Sequence, residues 1–72
     1  MHYVYVLRRK RNGFYIGYTS DIDRRMAEHQ KEGRCQLLYY EAYSSQDMAK
    51  ARERRLKYYG SAWRGLKRRI GA

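Results

Sequence analysis

Nine tyrosines, one arginine beside a helical seam and one glutamate in a run of bases are the side chains of this sequence best placed to do chemistry. Other familiar constellations are missing. No Cys or His cluster has zinc-ligand spacing, no glycine-rich loop could cradle a phosphate, and no serine has a His and acid partner. The arginine is Arg25, in the stretch FYIGYTSDIDRRMAEH from Phe14 to His29. On a 3.6-residue repeat Ile22, Met26 and His29 share a face, Arg25 lies at its margin and Arg24 points away. A guanidinium held at such a seam can bind an oxyanion bidentately. The glutamate is Glu53, surrounded by Lys50, Arg52, Arg54, Arg55 and Lys57 and bordering a stripe of Met48, Ala49, Leu56 and Tyr59. It either pairs with Lys57 at i,i+4, worth about 0.2–0.5 kcal/mol, or supplies the carboxylate that a hard cation requires. Arg52 projects still closer to the centre of that stripe.

The elements that must hold these residues follow from periodicity. His2–Leu7 alternates as a strand, with Tyr3, Tyr5 and Leu7 on one face and Val4 and Val6 on the other. A basic segment, Arg8–Gly13, ends in the reverse-turn pair Asn12-Gly13. Phe14–Thr19 is the return strand of a hairpin, whose loop is either Asn-Gly alone or the longer Lys10–Gly13 segment. The chain turns on Gly17 and passes through Thr19-Ser20-Asp21, residues that start helices by accepting bonds from unpaired amides. A first helix runs from about Ile22 to Glu32 and stops at Gly33. Gln36–Tyr43 is a third strand. Ser44 and Asp47 stand at capping-box spacing for a second helix, which continues to about Tyr58-Tyr59 and stops at Gly60. A short, very basic helix covers Ala62–Ile70. The expected fold is α+β, a three-stranded antiparallel sheet flanked by helices in the order β-β-α-β-α-α, and residues 1–72 form a single domain.

Charge narrows the partners. Seventeen Lys and Arg against seven Asp and Glu give a net +10, most of it beyond residue 49. Such an excess points to phosphate, on nucleic acid or an anionic membrane; the membrane would need a strong apolar face beside the bases. No apolar run approaches the ~20 residues of a membrane span. The single cysteine, Cys35, rules out an internal disulfide and fits a reducing, cytoplasmic setting.

Tyr3-Val4-Tyr5, then Tyr15-Ile16-Gly17, then Arg25 ten residues after Tyr15, His29 at the helix end and the Arg-Glu-x-x-Leu-Lys run Arg52–Lys57 together resemble the GIY-YIG nuclease domain. The resemblance covers nearly the whole chain and is greatest to small stand-alone members, which share the module with excision-repair incision nucleases and homing endonucleases. It implies that Tyr5 and Tyr15 are the paired motif tyrosines, one of which orients or deprotonates the attacking water. It further implies that Arg25 contacts the scissile phosphate, that Glu53 holds a single Mg²⁺ or Mn²⁺, and that His29 occupies a helix position often filled by His or Tyr. The first motif lacks its leading Gly, and no Asn follows Asn12, whereas many members carry one near the C-terminus.

Elementary chemistry agrees with these roles. Phosphodiester hydrolysis builds charge on equatorial oxygens, which a guanidinium binds, and on a leaving oxygen, which a metal neutralises. Tyrosine, with an unperturbed pKa near 10, needs a nearby cation to favour the phenolate. The expected function is a metal-dependent endonuclease acting on DNA, with no small-molecule cofactor. Arg8, Arg9, Lys10, Arg11, Lys57, Arg64, Lys67, Arg68 and Arg69 are the expected nucleic-acid contacts. Without a separate targeting domain, branched, flapped or damaged DNA is the expected substrate, in repair or recombination, with RNA also compatible. Two alternatives stand beside it. One is a non-catalytic nucleic-acid-binding module on a decayed nuclease scaffold, favoured by the missing Asn. The other is a structural or regulatory protein that binds partners through its tyrosines.

Overall fold

The computed structural model describes residues 1–10 and 13–72. It contains strands β1 (His2–Arg9), β2 (Gly13–Thr19) and β3 (Cys35–Tyr43), and helices α1 (Ile22–Glu32), α2 (Gln46–Tyr58) and α3 (Gly60–Arg69). The strands form one antiparallel sheet, as the sequence predicts, and their spatial order is β2-β1-β3.

The strand with the cleanest alternation is the central one, and both of its faces are covered. Val4, Tyr5, Val6 and Leu7 are all at most 1% exposed. Val4 and Val6 meet Ala49 and Leu56 of α2 and Leu66 of α3, with Ile16, Leu38 and Trp63 packed around them. Each buried Val or Leu contributes about 1.5–3 kcal/mol, an upper bound for a chain this small. Tyr5 points to the opposite face and meets α1. Between Val6 and Leu7 the pairing with β3 slips by one residue, so that Val6 faces Tyr39 and Leu7 faces Leu37. The extra residue of this bulge, Leu38, then packs on the same core as Tyr39.

Arg9 pairs with Gly13, which selects the longer of the two hairpin loops that the sequence allows. Several other local expectations are corrected. Gly13 takes φ +72°, a conformation that its missing Cβ allows. Arg11 and Asn12, the former an expected DNA contact and the latter half of the turn pair, lie outside the described residues. The chain does not turn at Gly17, which sits inside β2. The cap of α2 is Ser45, accepting from the Met48 amide, not Ser44. Gly60 does not stop a helix but begins α3. Tyr59, extended at φ −114°, serves as C-cap of α2 and N-cap of α3, and α3 begins two residues earlier than the pattern suggested. Met48 and Tyr59 are 60% and 63% exposed, because the buried stripe of α2 is only Ala49 and Leu56.

Candidate active site

The site begins with a hydroxyl that the sheet buries. Tyr5 is opposite Gly17 on β2, and that glycine explains the motif spacing. A Cβ at Gly17 would collide with the Tyr5 phenol and the Tyr15 ring. Only a glycine lets the Tyr5 ring lie flat over β2 with Tyr15 beside it, their centroids 6.1 Å apart.

Helix α1 completes the cluster. Asp21 caps it by accepting from the Arg24 amide at 3.1 Å, and Thr19 Oγ1 accepts from the Asp21 amide. This entry sets the rotation that turns His29 and Arg25 toward the sheet and leaves Arg24 77% exposed. His29 is buried, with Nε2 3.0 Å from the Tyr5 hydroxyl, and its ring meets those of Tyr5 and Tyr15 edge-on at 5.7 and 5.0 Å. Arg25 Nε donates to the Tyr5 hydroxyl at 3.3 Å, and Nη1 donates to Glu28 at 2.9 Å.

Burial sets the resting state of the cluster. Burial raises the Tyr5 pKa, and the Arg25 hydrogen bond offsets this only in part. Tyr5 is therefore a neutral phenol at rest. Burial, then the charges of Arg25 and Arg9, lower the pKa of His29, so the imidazole is neutral as well. The Arg25 guanidinium is held more firmly protonated by Glu28 and then by Tyr5 and Tyr15. Of the two tyrosines, Tyr5 is fully buried and Tyr15 is partly open to solvent.

Glu53 approaches from α2 along the β2 edge. Its carboxylate accepts Lys57 Nζ at 3.1 Å, and that ammonium is 6.0 Å from the centre of the Tyr15 ring. The surface pair expected for Glu53 is present, and it stands beside Tyr15. The carboxylate opens onto a groove shared with Asp47, Lys50 and Arg54. Among the described residues no group of three or more His, Cys, Asp and Glu could hold a metal. A lone carboxylate can serve Mg²⁺ or Mn²⁺, which keep several waters and complete their shell with substrate phosphate, once Lys57 yields its place on it. Glu53 is the residue that would hold it.

The basic residues divide between the faces. Arg9 stacks over Tyr15 at 4.2 Å, and Lys10 is exposed beside it. Arg8 and Lys67 converge on Phe14 instead, at 5.4 and 5.0 Å. Arg64, Arg68 and Arg69 are exposed on α3, and the charge of Arg69 acts on Tyr39, on the side away from Tyr5.

Sequence reasoning missed a second polar cluster. Glu41 accepts from Tyr39 and Tyr43 at 2.6 Å each and from Arg52 through Nε and Nη2. Burial alone would raise the Glu41 pKa, but these donors lower it overall, and the Tyr43 phenol is pushed up to about 12. The signal was present as Tyr-x-Glu-x-Tyr at strand period, facing the arginine nearest the helix stripe. Glu28, the partner of Arg25, was likewise readable at i,i+3.

A buried phenol clamped by Arg and His, with a second tyrosine at the surface beside them on a β2-β1-β3 sheet, belongs to a defined class of catalytic domain. The family model for the GIY-YIG catalytic domain matches residues 1–57, and the chain belongs to the GIY-YIG family, whose members are generally endonucleases that use divalent metals. Within it the chain is similar to UPF0213 proteins. One from Haloquadratum walsbyi is 34% identical over 67 residues, covering 81% of this chain and 75% of the relative. One from Halobacterium salinarum is 37% identical over 71 residues, covering 86% and 92%. The solution NMR structure of a UPF0213 protein from Bacillus halodurans superposes with a TM-score of 0.58 at 33% identity, over 79% of this chain and 70% of that one. No helix among the described residues is long and apolar enough to cross a membrane.

Proposed function

We propose that this chain is a cytoplasmic, metal-dependent endonuclease that hydrolyses DNA phosphodiester bonds, directed by DNA structure more than by sequence, in repair or recombination. The observation that carries the reading is the Tyr5 hydroxyl fixed between Arg25 and His29, with the partly exposed Tyr15 ring alongside. Tyr5 is buried and held neutral, so its part is to position Arg25. Tyr15 can meet solvent, and its hydroxyl orients the attacking water. The Arg25 guanidinium binds the equatorial oxygens of the scissile phosphate, where charge grows as the water oxygen bonds to phosphorus and the ester P–O bond breaks. Preorganised charge of this kind is typically the largest catalytic contribution in such reactions. A divalent cation on Glu53, when bound, supplies neutralisation of the leaving oxygen. His29 holds the phenol in place without adding charge. Arg9, Lys10 and Lys57 near Tyr15, and Arg8, Arg64, Lys67, Arg68 and Arg69 elsewhere on the surface, hold the DNA backbone, and Arg11 adds its charge to theirs.

The Lys57–Glu53 pair favours one rival reading, a non-catalytic DNA-binding module in which lysine has taken the place of the metal. Incubation with nicked, flapped and branched DNAs, with and without Mn²⁺, separates the two. The endonuclease cuts at least one of them only with metal. Glu53→Gln lowers that cleavage by orders of magnitude while metal-free DNA affinity holds or rises, because a negative charge has left a basic surface. Binding without cleavage by the parent protein decides for the module.

A further inference from the structure

Next to the tyrosine cluster lies a cleft of about 590 Å³ lined by Arg9, Lys10, His29, Glu32, Arg34 and Cys35. Antiparallel register creates it. Arg9, at the end of β1, pairs with Cys35 at the start of β3, which brings the hairpin end against the turn that leaves α1. The turn is tied down at both ends. The Gly33 amide donates to the His29 carbonyl at 3.2 Å, and Gln30 Nε2 donates to the Cys35 carbonyl at 2.9 Å.

Three features of the cleft point to its occupant. First, it joins the reaction site, because the same imidazole that meets Tyr5 forms part of its wall. Second, Arg9, Lys10 and Arg34 face a single carboxylate, Glu32, so the lining attracts anions. Third, its volume falls within the roughly 300–1,000 Å³ of small-molecule sites, more than a phosphate alone needs. The guanidinium of Arg9 lies over the Tyr15 ring at 4.2 Å, and the His29 ring meets the same tyrosine edge-on. Planar groups of this kind are what an unstacked base packs against.

We propose that this cleft receives a nucleotide of the substrate strand next to the cleaved bond, with its phosphodiester on Arg34 and Lys10 and its base or sugar against Arg9 and His29. A paired base inside a duplex cannot leave its stack without cost, whereas an unpaired one can. The cleft would therefore select strands with free nucleotides at the cut, which is the substrate preference that the endonuclease reading requires. The inference rests on that reading for the position of the cut, but not for the binding itself.

Cys35 provides a reporter, because it is the chain's only cysteine and lines the cleft. The experiment follows alkylation of the Cys35 thiol in the full chain, without metal, against inorganic phosphate, thymidine monophosphate, a single-stranded oligothymidylate and a blunt duplex. The oligothymidylate should slow alkylation several-fold, the monophosphate less, and phosphate or duplex least. Arg34→Ala, an exposed turn position, should weaken oligothymidylate binding and lower its salt slope by about one contact. In the presence of a cleaved substrate the same variant should raise KM and leave kcat close to the parent value. Oligothymidylate that binds without protecting Cys35, or an unchanged salt slope in Arg34→Ala, overturns the proposal. Equal protection by duplex overturns the selectivity for free nucleotides. Protection without cleavage of any DNA would leave the cleft standing and remove the endonuclease; cleavage without protection would do the reverse.

Discussion

Two polar clusters flank the sheet, and both are made of tyrosine and arginine. In one, Glu41 receives two phenols and a bidentate guanidinium. Its side chain is 14% exposed and that of Arg52 26%, so every strong acceptor site of the carboxylate is met by the protein. In the other, the centre is not a carboxylate but the neutral Tyr5 hydroxyl, and Arg25 divides its hydrogen bonds between that phenol and Glu28 at the surface. Arg25 remains 36% exposed. The first cluster is closed and ties β3 to α2. The second keeps the Arg25 cation partly open to solvent beside the partly exposed Tyr15, with no buried anion to quench it, which is what a site for an anionic substrate needs. Residue type does not separate the two; the degree to which each charge is satisfied does.

The sharpest way to break the comparison is to exchange the fates of the two arginines. Arg25→Ala should lower cleavage by orders of magnitude and move the melting temperature little, since its ion pair with Glu28 is half-exposed and contributes little to stability, and His29 still meets the Tyr5 hydroxyl. Arg24→Ala, on the exposed side of the same helix, should weaken DNA binding at most. Equal loss of cleavage from both would mean that the orientation of α1 does not select Arg25.

Glu41→Ala should show the opposite profile. It leaves Arg52 and two phenols without their common acceptor, at a cost of about 2–3 kcal/mol, below the full penalty of a broken buried pair because the cluster is not wholly dry. In a chain of this size that is a large share of the total. Chemical denaturation measures it directly. A loss under half a kcal/mol would show that the cluster is decoration on the surface.

A smaller effect concerns pH. The folded-state pKa of His29 is depressed, so the unfolded chain binds the imidazole proton at a higher pH than the native one. Stability should therefore rise with pH from the depressed folded pKa up to the ordinary imidazole range near 6.5, then level off. His29→Gln should remove that slope. Denaturation midpoints at intervals between pH 5 and 8 read it (roughly the window in which imidazole titrates), and a slope unchanged in the variant would place its origin elsewhere.

Much of this was legible in the sequence where one element decided the outcome alone. The alternation of His2–Leu7 fixed both faces of β1, and helical projection separated Arg25 from Arg24 before any coordinates. Features set by pairing between elements were not legible. Glu41 reads as an ordinary strand residue until Arg52 is brought across to it, and α2 buries a narrower stripe than its wheel suggests because β1 and α3 cover only Ala49 and Leu56 fully. Gly17 reads as a bend until Tyr5 is laid opposite, after which it reads as clearance. The cleft beside His29 depends on Arg9 meeting Cys35, a register that no local pattern announces.

The open cluster is a reaction centre only if its partly exposed phenol, Tyr15, takes part in the reaction. Tyr15→Phe removes one oxygen, keeps the ring beside Tyr5, His29 and Arg9, and leaves the closed cluster untouched. Single-turnover cleavage of a flapped duplex in Mn²⁺, by parent and variant matched for melting temperature and DNA affinity, isolates that oxygen. The expected result is a rate lower by about two orders of magnitude or more, the scale of a lost catalytic hydrogen-bonding or proton-transfer group. A variant that cuts as fast as the parent would contradict the role given to Tyr15.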